Sequence, residues 1–141
     1  NRLSLKTIAN QKNLKKITCL TAYTSSIAKI IDKHVDIILI GDSVGTVIYG
    51  MENTQGVTLD MMMVHGKAVV KSSKRAFTMI DMPYHTYRTN KEALTNARKL
   101  LQFTNCQSVK LEADNKNINI IKHLVKNIDP IHTHADSPNM D

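Results

Sequence analysis

The sequence contains no tryptophan, and only two phenylalanines and four tyrosines among its 141 residues. Ile, Leu, Val and Met must therefore build any core, and aromatic platforms on which nucleic-acid bases stack are missing. Two cysteines, Cys19 and Cys106, are too few and too far apart for a disulfide scaffold or a zinc motif. A reducing compartment is the expectation they leave. No apolar run approaches the roughly 20 residues that cross a bilayer, so a membrane is not an expected partner. Residues 1–16 hold no acid, few apolar positions and no secretory core. They read as a solvated basic leader with a short helix, ahead of a cytoplasmic protein.

The formal net charge of +7 raises the question of an anionic partner. Arg2, Lys6, Lys12, Lys15 and Lys16 precede the first apolar run, and the other basic residues are scattered through helical segments. That distribution does not point to nucleic acid; an anionic substrate or cofactor uses the charge equally well. The length allows one domain with a real core. It falls short of the about 250 residues of a complete eight-fold βα barrel.

Apolar patterning divides the chain into repeating units. Ile17–Tyr23 reads as a strand, followed by a helix over Ile27 to Lys33 capped by Ser25 or Ser26. Val35–Ile40 (VDIILI) is nearly all apolar and β-branched, as suits a strand buried on both faces of a parallel sheet. A loop through Gly45, Gly50 and Gly56 leads to Thr58, the expected N-cap of a helix over Leu59 to Ser72. Ala76–Ile80 is the third strand, stopped by Pro83. Thr89 caps a helix to about Phe103, Ser108–Leu111 is the fourth strand, and a helix covers about Asn117–Lys126. Pro130-Ile131 is the expected start of a fifth. This alternation means βαβ units and a parallel sheet. A barrel and an open doubly wound sheet both satisfy it. The dinucleotide-binding glycine turn of the latter is missing, since Tyr23-Thr24-Ser25 stands in its place.

Three successive strands finish in an acid: Asp42, Asp81 and Glu112, each about one βα unit from the next. In a parallel sheet all C-terminal strand ends share one edge, where barrel enzymes build their sites. Converging carboxylates repel unless a cation or a shared proton relieves them, and hard oxygen ligands suit Mg²⁺. The plainer alternative is that each acid is a turn former or helix cap. Lys110 shares a strand face with Glu112, either to grip a substrate carboxylate or keto oxygen or to form a structural ion pair. Ser43 is open to anion binding or to turn chemistry. His65 and His85 are expected to make ordinary polar contacts. His132 and His134 alternate like a metal clip but have no third soft ligand nearby.

The runs ITCLTAY, VDIILIGDSVGTVIYG, VTLDMMMVHGKAVV, IDMPYHTY and VKLEA resemble the 3-methyl-2-oxobutanoate hydroxymethyltransferase family. The resemblance runs in order from Ile17 to Glu112 and more weakly to Asn139. It implies a (β/α)₈ barrel of the TIM type, of which residues 17–141 form the N-terminal part, about four to five βα units. It also implies transfer of a one-carbon unit from 5,10-methylenetetrahydrofolate to 3-methyl-2-oxobutanoate, giving 2-dehydropantoate in pantothenate biosynthesis. By match, Asp42, Asp81 and Glu112 hold Mg²⁺, and Asp42, Ser43, Asp81 and Lys110 bind the keto acid. The family's general base lies beyond residue 141, so no catalytic base is assigned here. The expectation is a truncated form with little or no activity alone. The alternative is a non-catalytic fragment or interaction module that needs a separate C-terminal half. Members of the family form homo-oligomers. Departures from its pattern are Thr24 for an Asp after TAY, no glycine at Lys33-His34-Val35, Gly56 for a proline, and a fifth-strand run stripped of its glycines.

Overall fold

Short β-branched runs separated by amphipathic helices build a single parallel sheet in the computed structural model, which describes residues 1–128 and 135–136. Helix α1 (Leu5–Ala9) precedes β1 (Cys19–Thr21), α2 (Ser25–Ile31), β2 (Ile37–Ile40) and α3 (Val44–Val47). A 3₁₀ turn over Thr54–Gly56 leads into α4 (Leu59–Ser72), then β3 (Phe77–Asp81), α5 (Asn90–Thr104), β4 (Ser108–Glu112), α6 (Ile118–Asn127) and β5 (Ala135–Asp136). Strand order follows chain order from β1 to β5, and each neighbouring pair is parallel. This is the parallel βα architecture that the alternation predicts. The expected strand start at Pro130-Ile131, and both His132 and His134, lie outside the described residues.

Threonines start three of the helices. The hydroxyls of Thr24, Thr58 and Thr89 accept from the backbone N–H groups of Ile27, Met61 and Glu92, each satisfying a donor that the first helical turn leaves open. The cap of α2 is thus Thr24, not Ser25 or Ser26. The extended backbone at Thr24 (φ −132°) aims its hydroxyl at the helix, whereas both serines are past the start. Where the family resemblance calls for Asp, Thr24 keeps the capping role. Helix α3 and the 3₁₀ turn fall in the stretch expected to be loop. Four residues reading VGTV are too short and too β-branched to announce a helix by periodicity.

Register divides the sheet into two faces. On the outer one, Ile38, Ile40, Thr78, Ile80, Val109 and Leu111 are all at most 1% exposed, covered by the helices. Each such Ile or Leu contributes on the order of 1.5–3 kcal/mol by leaving water. Gly66 lets α4 approach closely, because a Cβ there would sit 2.6 Å from Ile80 and 2.8 Å from Thr104. The inner face differs: Cys19 and Thr21 are exposed, and Ile37, Leu39 and Met79 only partly covered. The expectation that β2 is buried on both faces is therefore corrected. Phe77 and Ser108, which share the inner face by register, are nonetheless buried, and among the described residues the strands form one sheet with no second sheet against it.

At the N-terminal end of the strands, the turn from α4 into β3 is held from two sides. The Asp32 carboxylate accepts from the Ser73 hydroxyl at 2.6 Å and from the N–H groups of Lys74, Arg75 and Ala76. From the other side, Arg2 donates to the Ser73 hydroxyl and to the carbonyls of Val70, Ser73 and Ala76. Leu3 donates to the Arg75 carbonyl at 2.7 Å and accepts from Gln107 at 2.8 Å, and Ile8 is buried. The basic segment is thus docked at its start rather than solvated throughout. Burial works to raise the Asp32 carboxyl, but the hydrogen bonds from Ser73 and the three backbone N–H groups outweigh it, and it sits below its usual 3.8. Asp32→Ala is expected to cost about 2 kcal/mol in urea unfolding at pH 7. A lowered carboxyl stabilises the fold above its unfolded value. The difference between the two proteins should therefore persist above pH 3.8 and shrink below it; equal stabilities at pH 7 would refute the role.

Candidate active site

The C-terminal ends of β2, β3 and β4 lie on one edge because the strands run parallel. Asp81 ends β3 and pairs in register with Lys110 of β4, so their side chains emerge side by side on the inner face. Lys110 Nζ lies 2.9 Å from Asp81 Oδ1, with the two side chains only 16% and 8% exposed. The other carboxylate oxygen, Oδ2, accepts from the backbone N–H of Asp42 at 3.0 Å. Asp81 thereby ties the end of β2 to β4. Before Asp42, a Cβ on Gly41 would stand 2.9 Å from the Ser43 hydroxyl, so a larger residue there would require that hydroxyl to move.

Asp42, Asp81, Lys110 and Glu112 line one cleft of ≈ 260 Å³, together with Thr54 and Tyr87. The Asp42 carboxyl is pushed up to about 6, first by burial and then by the charge of Asp81, with Glu112 adding to it and Lys110 opposing. The Tyr87 hydroxyl is pushed up to about 12, by burial first and then by the Glu112 charge. It therefore stays protonated at neutral pH, and its oxygen accepts from the Glu112 backbone N–H.

Four of the five residues singled out in the sequence thus share the cleft. Ser43 adjoins the lining residue Asp42 without itself lining the cleft, and its hydroxyl lies 2.6 Å from the Tyr23 hydroxyl. Among the described residues, no three His, Cys, Asp or Glu side chains stand close enough to form a ready metal-ligand set. Lys110 supplies positive charge to Asp81 in this arrangement, and Glu112 is exposed at the rim. The donor set nevertheless fits a hard divalent cation. Three carboxylates, hard oxygen donors of the kind a divalent cation takes, line the cleft with one ammonium, and burial followed by the Asp81 charge raises Asp42.

His65 makes the ordinary polar contacts that the sequence predicts, with partners it does not name. His65 Nδ1 lies 2.7 Å from the Tyr23 carbonyl and Nε2 lies 2.8 Å from the Tyr49 hydroxyl. His85 has φ +67° and packs its ring 3.9 Å from that of Tyr84.

The family model described as ketopantoate hydroxymethyltransferase matches residues 2–136. The chain is 49% identical over 124 residues to 3-methyl-2-oxobutanoate hydroxymethyltransferase of Pelagibacter ubique (strain HTCC1062), covering 88% of this chain and 48% of that protein. It is 53% identical over 110 residues to the protein of the same name from Anaplasma marginale (strain St. Maries), covering 78% and 40%. The corresponding values for Agrobacterium fabrum are 46% over 135 residues, covering 95% and 48%. Among solved structures, 2,3-dimethylmalate lyase, a PEP mutase/isocitrate lyase superfamily member, shares the fold with TM-score 0.64 at 12% identity, over 84% of this chain and 46% of that one. The chain spans about half the length of the curated relatives it matches. With its strand-end acids on one edge and its sequence matched almost throughout, the chain belongs to the ketopantoate hydroxymethyltransferase family.

Proposed function

We propose that this chain supplies the metal- and keto-acid-binding half of a hydroxymethyltransferase site. That site transfers a one-carbon unit from 5,10-methylenetetrahydrofolate to 3-methyl-2-oxobutanoate, giving 2-dehydropantoate. The observation that carries this reading is the shared cleft of Asp42, Asp81, Lys110 and Glu112. Asp42 and Asp81 bind Mg²⁺, and Glu112 completes the site directly or through water. Bound there, Mg²⁺ acts as a Lewis acid toward the keto acid's oxygens, which eases loss of the proton beside the keto group. Lys110 and Ser43 hold the keto acid, the lysine drawing on a position already electrostatically paired with Asp81. The walls of the cleft orient the substrate so that the carbon to be substituted faces the donor.

No described residue lining the cleft is available to accept the proton. Its acids are committed to the metal, the Tyr87 hydroxyl keeps its proton at neutral pH, and Lys110 is paired. Residues 17–141 therefore act as the N-terminal part of a barrel, with 1–16 as its basic leader and the base contributed from elsewhere. The half-covered inner residues Ile37, Leu39 and Met79 and the free edge of β1 favour a second reading of the same chain, as a module completed by a separate C-terminal half. The working assembly is a cytoplasmic homo-oligomer in either case.

The test is to titrate the purified chain with keto acid, with and without Mg²⁺, and then to add methylenetetrahydrofolate. Mg²⁺-dependent keto-acid binding without product is expected. Product at an ordinary enzymatic rate would overturn the half-site, and loss of Mg²⁺-dependent binding would overturn the whole reading.

A further inference from the structure

Ser43 stands at the N-cap of α3, yet its side chain makes no capping hydrogen bond. This sets it apart from Thr24, Thr58 and Thr89, whose hydroxyls all cap. Its backbone is already helical (φ −55°, ψ −10°), not extended like those three, which leaves the hydroxyl to another partner. The partner is the Tyr23 hydroxyl, 2.6 Å away, reached from the end of β1 to the end of β2 along the same sheet edge.

Tyr23 is itself fixed. Its backbone carbonyl can only accept, so the 2.7 Å contact requires the proton on His65 Nδ1. In the neutral ring Nε2 is then an acceptor, and the Tyr49 hydroxyl donates to it at 2.8 Å. The Tyr49 and His65 rings meet edge to face, with centroids 5.6 Å apart and planes at 89°. Helix α4 thus holds both the end of β1 and the segment after α3 through one imidazole.

We propose that Tyr23 is a positioning residue for Ser43, and that His65 holds Tyr23 in place to do it. A serine hydroxyl has one proton and two acceptor lone pairs. When the tyrosine donates to it, the serine proton is left to point at an anionic oxygen beside the cleft. The Tyr23 hydroxyl then sets the direction in which Ser43 donates. Keto-acid recognition thereby depends on a residue from a strand that carries none of the strand-end acids.

This inference rests on reading Ser43 as a keto-acid ligand. Its test is a double-mutant cycle, with 3-methyl-2-oxobutanoate titrated calorimetrically into the chain at saturating Mg²⁺. Tyr23→Phe and Ser43→Ala should each weaken keto-acid binding by about tenfold, the scale of one hydrogen bond to a charged group. The double variant should bind no more weakly than Ser43→Ala alone. His65→Leu should likewise weaken binding only while Ser43 is present. Mg²⁺ affinity measured without keto acid, and Tm, should stay at the wild-type value in Tyr23→Phe. Additive losses in the double variant, or an equal loss of Mg²⁺ affinity, would overturn the positioning role. If the unmodified chain takes up no keto acid, the functional reading itself fails, and the positioning role fails with it.

Discussion

Asp81→Ala is expected to destabilise the chain by about 3 kcal/mol, the low end for breaking a buried ion pair, and to eliminate Mg²⁺ binding at once. The carboxylate is 6% exposed and bridges two strand ends, receiving the Lys110 ammonium at 2.9 Å and the Asp42 N–H at 3.0 Å. Alanine removes both acceptors and leaves a lysine that is 16% exposed without its carboxylate. Lys110 keeps other interactions, which is why the loss stays at the lower end of the range. Asp81→Asn separates the two roles. Its amide oxygen can still accept from Asp42, so about half the stability loss returns, but the ligand charge is gone and Mg²⁺ affinity with it. Urea unfolding and Mg²⁺ titration of the three proteins check this. Wild-type stability in Asp81→Ala would show that the bridge contributes nothing.

Asp42→Asn should have the opposite sign in stability and the same sign in metal binding. A carboxyl raised from 3.8 to about 6 is one whose ionised form the fold disfavours. The stability it contributes is complete below pH 3.8, declines between 3.8 and about 6, and is absent above that. The neutral amide escapes this loss. At pH 7 the metal-free variant is therefore expected to be more stable than the wild type by about 1 kcal/mol, a value reduced for the solvent screening of a half-buried group. The advantage should vanish below pH 4 and also when the wild type is saturated with Mg²⁺, which the variant cannot bind. Wild-type Mg²⁺ affinity should fall correspondingly as the pH drops through about 6. Thermal unfolding across pH, with and without Mg²⁺, measures both effects. A metal-free variant less stable than the wild type at pH 7 would contradict the account. Here function and stability pull apart, as they commonly do where like charges are gathered for a ligand.

The order of elements was legible because each unit announces itself locally. Thr58 and Ser72 bound α4 as the sequence predicts, and Thr89 caps α5. The delivery of Asp81 and Glu112 to one edge followed from parallel strands alone. What the sequence could not carry depends on contacts across units. Whether Ile37 and Leu39 are covered is decided by what stands opposite them, not by their own hydrophobicity. The direction of the Ser43 hydroxyl depends on Tyr23, twenty positions away on another strand. The pairing of Lys110 needs register as well as parity: the strand-face argument put it beside Glu112, and the register gives it Asp81. Helix α3 escaped for a different reason, since four residues are too few for a period to appear.

The clasp formed by Arg2 and Leu3 bears on the order in which the protein is made. These residues leave the ribosome early, but their partners are Val70, Ser73, Arg75, Ala76 and, 104 positions away from Leu3, Gln107. They have nothing to grip until three βα units have been synthesised and packed. The docking of Arg2 and Leu3 therefore reports completion of everything up to β4.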